Sequence, residues 1–185
     1  MKFIKFLLLV FITLTSVVKA DLNENLINEL KEGGKLVFIR HAYAPGSGDP
    51  DDFNINECNT QRSLNDSGRE QAKKIGKYFI KNKIPIDKVI SSEWCRCKET
   101  ALLSFENFET YSFLNSFFNS KFAKNKNQQM KYLKKYINDW QSNKNLVIVT
   151  HYVVIAEVLD YAASSGEIVI SNKNLKKIGS IKIDY

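Results

Sequence analysis

Only two histidines occur in this chain of 185 residues, and each comes just after a short apolar run. His41 follows the run Leu36–Ile39 with Arg40 between them, and His151 follows a similar run that ends at Val149. Such runs predict buried parallel strands, and open α/β sheets bind ligands just beyond the carboxyl ends of their strands. Either ring alone could simply be satisfied by nearby backbone. Two such rings, one of them beside an arginine, favour a shared crevice and make an enzyme the first hypothesis.

Strands and helices alternate along the chain, which is the pattern of a parallel sheet covered by helices on both faces. We therefore predict an α/β fold, a three-layer sandwich with a mostly parallel central sheet. A polar loop over 42–62, rich in glycine and proline, follows the first strand, and loops of that length are usually functional. Asn65 is the predicted cap of the next helix. The predicted buried stripe of that helix is Ala72, Ile75, Gly76, Phe79 and Ile80.

The second half of the chain continues the alternation. A short strand over 88–91 leads into a helix that carries Arg96, and the aromatic stretch over 105–122 is expected to supply core and lid residues. The remaining predicted elements are an amphipathic helix around Met130–Trp140, a helix over 153–161, and two edge strands over 167–171 and 178–183.

The first twenty residues have the features of a targeting segment. Lys2 and Lys5 precede an apolar stretch over 6–14, and the small residues before Asp21 fit a cleavage site after Ala20. We predict a secretory signal peptide over 1–20 and a single domain over 21–185, located in the periplasm or outside the cell. The apolar stretch is shorter than the roughly 20 residues of a membrane span, so no stable membrane insertion is expected.

The net charge is moderately basic. It is +7 for the whole chain and becomes +4 once the three lysines of the predicted signal peptide are removed. Five lysines over 73–83 are better explained as the solvated face of a helix than as a nucleic-acid patch, so we predict no nucleic-acid partner. A mild attraction for anionic substrates is consistent with this charge. The sequence carries no signal for a particular oligomeric state.

Four separate motifs carry a resemblance to a known family. They are Arg40-His41 with Pro45, the helix opening Leu64–Ala72, the segment Ser91–Ala101 that contains Arg96, and Val149-Thr150-His151. In this order they resemble the histidine phosphatase superfamily, to which phosphoglycerate mutase belongs. The resemblance runs from about residue 35 to the end of the chain and implies a single phosphoglycerate mutase-like domain.

The resemblance and the physical chemistry of phosphoryl transfer assign the same roles. Neutral His41 is expected to attack phosphorus and form a phosphohistidine, while Arg40, Arg96 and His151 bind the phosphoryl oxygens. The implied protein is an exported phosphomonoesterase that acts on a small phosphorylated substrate. No cofactor and no metal are expected, because two distant histidines without a paired carboxylate motif make a poor metal site.

The chain departs from the family pattern where a proton donor is expected. Mutase-like members carry a glutamate at a position that falls near 114–116, and phytase-like members an aspartate at the position of Tyr152; neither acid is present here. Asp49 is the preferred donor, because Gly48 and Pro50 would fix its backbone near the site. The other candidates are Asp51, Asp52 and Glu57, and all four acids could be simple loop residues. Ser47 lies where family members often place a phosphate-binding polar residue.

Three alternatives therefore follow from the sequence. The first is the general phosphomonoesterase described above. The second is a phosphohistidine or sugar-phosphate phosphatase of narrow specificity. The third is a phosphate- or polyanion-binding module that has lost its proton donor.

Three cysteines in an exported chain leave one unpaired if a single disulfide forms. Cys97 stands where relatives of the resembled family carry small buried residues, which implies a packed free thiol. Cys95 and Cys97 lie too close in one helix to bridge comfortably. We therefore predict a disulfide between Cys58 and Cys95 that holds the long loop against the arginine-bearing helix.

Overall fold

A computed structural model describes residues 23–185, which contain one six-stranded sheet. Its strands are β1 Leu36–Arg40, β2 Ile86–Ser91, β3 Glu109–Thr110, β4 Asn145–Thr150, β5 Ile168–Ser171 and β6 Lys177–Ile181. The helices are α1 over residues 23–32, α2 Asp66–Lys81, α3 Cys95–Phe105, α4 Ser120–Ala123, α5 Lys126–Asp139 and α6 Tyr152–Leu159. The strand order is β3-β2-β4-β1-β5-β6.

The centre of the sheet determines where the two histidines lie. β1 pairs in parallel with β4, and Arg40 is in register with Thr150. The next residues, His41 and His151, therefore leave adjacent strands at the same end. The backbone N–H of His41 donates to the carbonyl oxygen of Thr150 at 2.9 Å, which extends the pairing by one residue.

The prediction of two edge strands near the C-terminus is wrong for the first of them. β5 lies between β1 and β6, pairs antiparallel with both, and is buried at all of its positions. β6 is an edge, and the opposite edge is β3. A strand of two residues is too short to leave an alternating pattern, which is why the sequence did not predict it.

Helices cover both faces of the sheet, which confirms the predicted sandwich. Side chains of a strand alternate between faces, so Val37 and Ile39 pack with residues of α1, α2 and α3, whereas Leu36 and Phe38 pack with residues of α5 and α6. The site at the carboxyl ends of β1 and β4 is thus supported by two separate cores.

Helix α2 begins as predicted and differs from the prediction at its end. Oδ1 of Asn65 accepts a hydrogen bond from the backbone N–H of Gly68 at 2.9 Å. A Cβ on Gly68 would lie 2.0 Å from the carbonyl oxygen of Tyr43, so only glycine lets the helix pack against the chain just after His41. Ile80, predicted on the buried stripe, is 78% exposed, because the helix turns it away from the sheet after Phe79.

The predicted signal peptide lies outside the described residues. Among residues 23–185, none of the helices is both long enough and apolar enough to cross a membrane.

Candidate active site

His41 is buried at the end of β1, and its hydrogen bonds define its tautomer. Nδ1 lies 2.8 Å from the carbonyl oxygen of Ala42, which can only accept, so Nδ1 carries the hydrogen. Nε2 accepts from Nε of Arg96 at 3.3 Å. The neutral ring therefore presents a lone pair on Nε2, as a nucleophile must.

Electrostatics keep His41 in this neutral state. The ring is 3% exposed, and burial lowers the pKa of His41 well below its ordinary value. The positive charge of Arg96 lowers that pKa further. At neutral pH the nucleophilic form is consequently the resting form.

Arg96 is held in place by Asp49. The guanidinium donates from Nη1 to Oδ1 at 2.7 Å and from Nη2 to Oδ2 at 3.1 Å, and only 3% of the Arg96 side chain is exposed. Asp49 also accepts from the backbone N–H of Arg62 at 3.0 Å and from Nε1 of Trp94 at 3.2 Å. Gly48, with φ of 70°, supplies the left-handed turn that leads into Asp49.

The carboxylate of Asp49 is stabilised in its charged form. Burial raises the pKa of Asp49, but the hydrogen bonds and charge of Arg96 outweigh burial and leave that pKa below its usual value. A general acid at neutral pH needs the opposite, a raised pKa. Asp49 lies beside Arg96, and its role as a proton donor stays a prediction.

Arg40 lies on the other side of His41. Its Nη1 donates to the carbonyl oxygen of Ala163 at 2.9 Å, and its guanidinium carbon lies 5.3 Å from the ring centroid of Tyr152. Nε of Arg40 is buried and makes no hydrogen bond to any of the residues 23–185. That N–H is a free donor on a side chain that lines the same cavity as His41.

Arg62 is a third guanidinium that the sequence reasoning missed. Its Nε donates to the carbonyl oxygen of Gly48 at 2.8 Å, and its Nη1 donates to the carbonyl oxygen of Ala44. Arg62 thereby closes the predicted loop onto itself. The available signal was weak, namely an arginine at the end of a functional loop, just before the helix opening.

His151 faces His41, with ring centroids 5.4 Å apart. Its Nε2 lies 3.0 Å from Oγ of Ser92 and 3.5 Å from Sγ of Cys97. Burial, followed by the charge of Arg96, lowers the pKa of His151 well below its ordinary value. The sequence did not identify Ser92 as a partner of His151, although Ser92 lies within the motif Ser91–Ala101.

His41, His151 and the three arginines line one cavity of about 160 Å³. Ser47, Ser116 and Lys121 also line it. The aromatic residues of its wall are Phe53, Trp94, Phe118, Phe122 and Tyr152. The alternative acids Asp51, Asp52 and Glu57 are exposed and lie outside this lining.

Cys58 and Cys95 form a disulfide, as predicted, and Cys97 is a buried free thiol. Gln61 strengthens the same connection, because its Oε1 accepts from the backbone N–H of Cys95 at 2.9 Å. The loop that carries Asp49 is thus tied to the helix that carries Arg96.

No group of three or more His, Cys, Asp or Glu side chains within residues 23–185 is arranged to hold a metal ion. The metal-free mechanism stays a prediction.

Comparison with known proteins finds a family model that matches part of the chain. A model described as the histidine phosphatase superfamily (branch 1) matches residues 36–114, which include Arg40, His41 and Arg96. No curated protein matches the sequence.

Solved structures share the fold at low sequence identity. The chain is similar to the protein histidine phosphatase SixA complexed with tungstate, with a TM-score of 0.53, 13% identity, and coverage of 81% of this chain and 96% of that chain. It is similar to a phosphoglycerate mutase from Thermus thermophilus, with a TM-score of 0.53, 14% identity, and coverage of 81% and 99%. It is also similar to a putative α-ribazole-5′-P phosphatase from Escherichia coli, with a TM-score of 0.57, 16% identity, and coverage of 82% and 96%.

Proposed function

We propose that this chain, whose residues 36–114 match the histidine phosphatase superfamily model, is a member of that superfamily and hydrolyses small phosphomonoesters through a phosphohistidine on His41. The observation that carries the proposal is the tautomer of His41. Its Nδ1–H is bonded to a carbonyl, so the lone pair of Nε2 is directed at the guanidinium of Arg96, beside the cavity.

The reaction has two steps of phosphoryl transfer. Nε2 of His41 attacks phosphorus, an N–P bond forms, and the bond from phosphorus to the ester oxygen breaks with its electron pair on the leaving alcohol. Water then attacks the phosphohistidine, the N–P bond breaks, and phosphate and neutral His41 are released. The bond from Nδ1 to Ala42 holds the ring still through both steps.

The charges of the cavity favour this chemistry. Arg40, Arg62 and Arg96 contribute three positive charges, and Asp49 is the carboxylate in the cavity lining that offsets one of them. A phosphoryl group in transfer spreads negative charge over its equatorial oxygens, and fixed guanidinium donors in a water-poor site stabilise that charge strongly. Electrostatics therefore favour an anionic group next to His41.

Asp49 has two possible roles in this scheme. Its two oxygens already accept from Arg96, which supports a role in aiming that guanidinium. Protonation of the leaving alcohol by Asp49 would require the carboxyl to gain a proton against a lowered pKa. Water is an alternative proton source, and substrates with good leaving groups need no donor.

A second candidate function is a phosphate- or polyanion-binding module without turnover. The observation that favours it is the cavity lining, whose one carboxylate is already bound to Arg96. Within the enzymatic proposal, the alternative is a phosphohistidine or sugar-phosphate phosphatase of narrow specificity. Activity measured on a panel of phosphorylated substrates distinguishes these enzymes.

Trapping of the phosphoenzyme tests the proposal. Purified protein is mixed with a ³²P-labelled aryl phosphate and quenched in alkali, where phosphohistidine survives, and the labelled peptide is identified. We expect label on the peptide that contains His41 and none on the peptide that contains His151. The His41→Asn variant should show no label. Turnover without any label on His41 would contradict the mechanism, and absence of both turnover and label would favour the binding module.

We also propose that the protein is exported after cleavage between Ala20 and Asp21. The support is the composition of residues 1–20 together with the disulfide, which is typical of oxidising compartments. N-terminal sequencing of protein recovered from the periplasm or the medium should begin at Asp21. Recovery of the uncut chain from the cytoplasm alone would contradict this.

A further inference from the structure

We propose that Glu93, Asn115 and Ser92 form a hydrogen-bonded relay that keeps a hydrogen on Nε2 of His151 and leaves Nδ1 as the nitrogen that meets the substrate. The relay residues act through His151 and are positioning residues. The location of the hydrogen follows from the contacts alone. The encounter of Nδ1 with a phosphoryl oxygen rests on the proposed function.

The side-chain amide of Asn115 has one orientation, because two of its neighbours have fixed polarity. Nδ2 lies 2.6 Å from Oε2 of Glu93, a carboxylate oxygen that accepts. Oδ1 lies 2.9 Å from the backbone nitrogen of Glu93, whose N–H donates. If the amide were flipped, Oδ1 would face the carboxylate oxygen of Glu93 and the NH₂ group would face the backbone N–H of Glu93. Asn115 therefore presents an acceptor, Oδ1, to Ser92.

The orientation of Asn115 determines the direction of the next two bonds. Oγ of Ser92 lies 2.9 Å from Oδ1 of Asn115 and 3.0 Å from Nε2 of His151, and it accepts from the backbone N–H of Trp94 at 3.2 Å. A hydroxyl has one hydrogen, and Oδ1 cannot donate, so this hydrogen points to Asn115. The contact with His151 is then a hydrogen bond only if Nε2 donates it.

The segment that carries Asn115 is anchored from two sides. Oγ1 of Thr150, the residue before His151, donates to the carbonyl oxygen of Leu114 at 2.7 Å. Nε2 of Gln129, on helix α5, donates to the carbonyl oxygen of Asn115 at 3.1 Å. Since both anchors are buried, the amide cannot swing away from Ser92 without loss of these bonds.

The relay has a consequence for anion binding. With Nε2 occupied, Nδ1 is the free nitrogen of His151, and it makes no hydrogen bond to any of the described residues. In the neutral ring Nδ1 carries a lone pair, which repels an anionic oxygen. In the charged ring Nδ1 carries a hydrogen and donates. Binding of a tetrahedral dianion should therefore bring a proton onto His151.

The surroundings of His151 keep it neutral until an anion arrives. His41, Cys97 and Trp94 contact the ring, and the charges of Arg40, Arg62 and Arg96 act on it. Burial and the charge of Arg96 lower the pKa of His151, and burial raises the pKa of Cys97 to about 12, so the thiol adds no charge. An anion in the cavity would offset the arginine charges and thereby raise the pKa of His151.

Nitrogen-15 NMR tests the relay directly, because the chain contains only two histidines. At about pH 7.5 long-range ¹H–¹⁵N spectra should show opposite tautomers, with the hydrogen on Nδ1 of His41 and on Nε2 of His151. In Asn115→Leu the hydroxyl of Ser92 is free to donate, and His151 should shift toward the Nδ1–H tautomer. The matched control is Asn138→Leu, at an exposed position of α5, and it should leave both tautomers unchanged. A wild-type His151 with its hydrogen on Nδ1, or an unchanged tautomer in a folded Asn115→Leu, overturns the proposal.

Proton uptake on sulfate binding tests the functional consequence. Sulfate remains a dianion throughout the accessible pH range, and in a His41→Asn background His151 is the only imidazole. Calorimetry in two buffers of different ionisation enthalpy should show uptake of about one proton per sulfate at about pH 7.5, and markedly less once Asn115→Leu is added. Sulfate binding without proton uptake overturns the proposal while the anion site stands. Failure to bind sulfate contradicts the proposed function, and the NMR tautomer still decides the relay.

Discussion

Replacement of Asp49 by asparagine removes the charge that holds Arg96 and nearly preserves the shape of the side chain. Asp49 accepts from two guanidinium nitrogens, one backbone N–H and one indole N–H. Asparagine offers one acceptor oxygen in place of two. Its NH₂ group then faces Arg96 in either orientation, together with the backbone N–H of Arg62 or the indole N–H of Trp94, all of which donate.

The size of the loss follows from burial. Breaking a fully buried ion pair costs about 3–5 kcal/mol, because the remaining charge is left without a partner. The Arg96 side chain is 3% exposed but that of Asp49 is 15% exposed, and the one oxygen of asparagine keeps two of the four hydrogen bonds. We therefore expect the free energy of unfolding to fall by about 2–3 kcal/mol at neutral pH. The pKa of Asp49 is lowered by folding, so this contribution is complete above the unfolded pKa near 4 and is lost as pH falls through the folded pKa.

Urea unfolding and kinetics on two substrates measure these effects. If Asp49 aims Arg96, Asp49→Asn should reduce kcat/KM by about 10- to 100-fold equally for an aryl phosphate and an alkyl phosphate. If Asp49 donates a proton, the alkyl phosphate should lose much more, because an alkoxide leaves poorly. The control is Asp52→Asn, an exposed acid of the same loop. Unfolding free energy unchanged from wild type would refute the ion-pair reasoning.

Further predictions concern the disulfide, the histidines, the third arginine and metals. Replacing Cys58 and Cys95 by serine should lower the free energy of unfolding by about 3–4 kcal/mol for a sequence separation of 37, measured by urea titration, and an unchanged midpoint would contradict the predicted constraint. Folding lowers the pKa values of His41 and His151, so the free energy of unfolding should decrease as the pH drops below about 6.5, by up to about 1.4 kcal/mol per histidine and pH unit. Urea titrations at several pH values should show that replacing both histidines by asparagine flattens this dependence. Arg62→Ala should weaken phosphate inhibition at least about tenfold, whereas equal inhibition would place Arg62 outside anion binding. Activity should survive EDTA, and loss that is restored by added zinc or magnesium would refute the metal-free mechanism.

The sequence predicted the parts of the molecule that local patterns encode. His41 and His151 stand at the ends of two apolar runs, and because parallel strands end at one edge of the sheet, the runs alone predicted that the rings share a crevice. The disulfide followed from cysteine count together with the family resemblance. The cap at Asn65 followed from residue type and position.

Other features depend on contacts between distant segments and left no pattern. Arg62 enters the site because the loop folds back on Gly48 and Ala44, which spacing does not encode. Ser92 and Asn115 meet although they stand 23 positions apart in the sequence. Ile80 fits the helical period of its neighbours and is exposed nonetheless, because period alone does not say where the covering layer ends.

The two walls of the cavity are built in different ways. One wall, the loop with Asp49, is joined covalently to helix α3 through Cys58 and Cys95. A second wall contains Phe118, which is 54% exposed, and Phe122, which lies in a helix of 4 residues that has no buried residue. Regions with few buried contacts open at the lowest free energy, so amide exchange should be fastest in this second wall. Substitutions in the wall that contains Phe118 and Phe122 can therefore change substrate entry and leaving-group preference. The wall that is held by the disulfide keeps the geometry of phosphoryl transfer fixed.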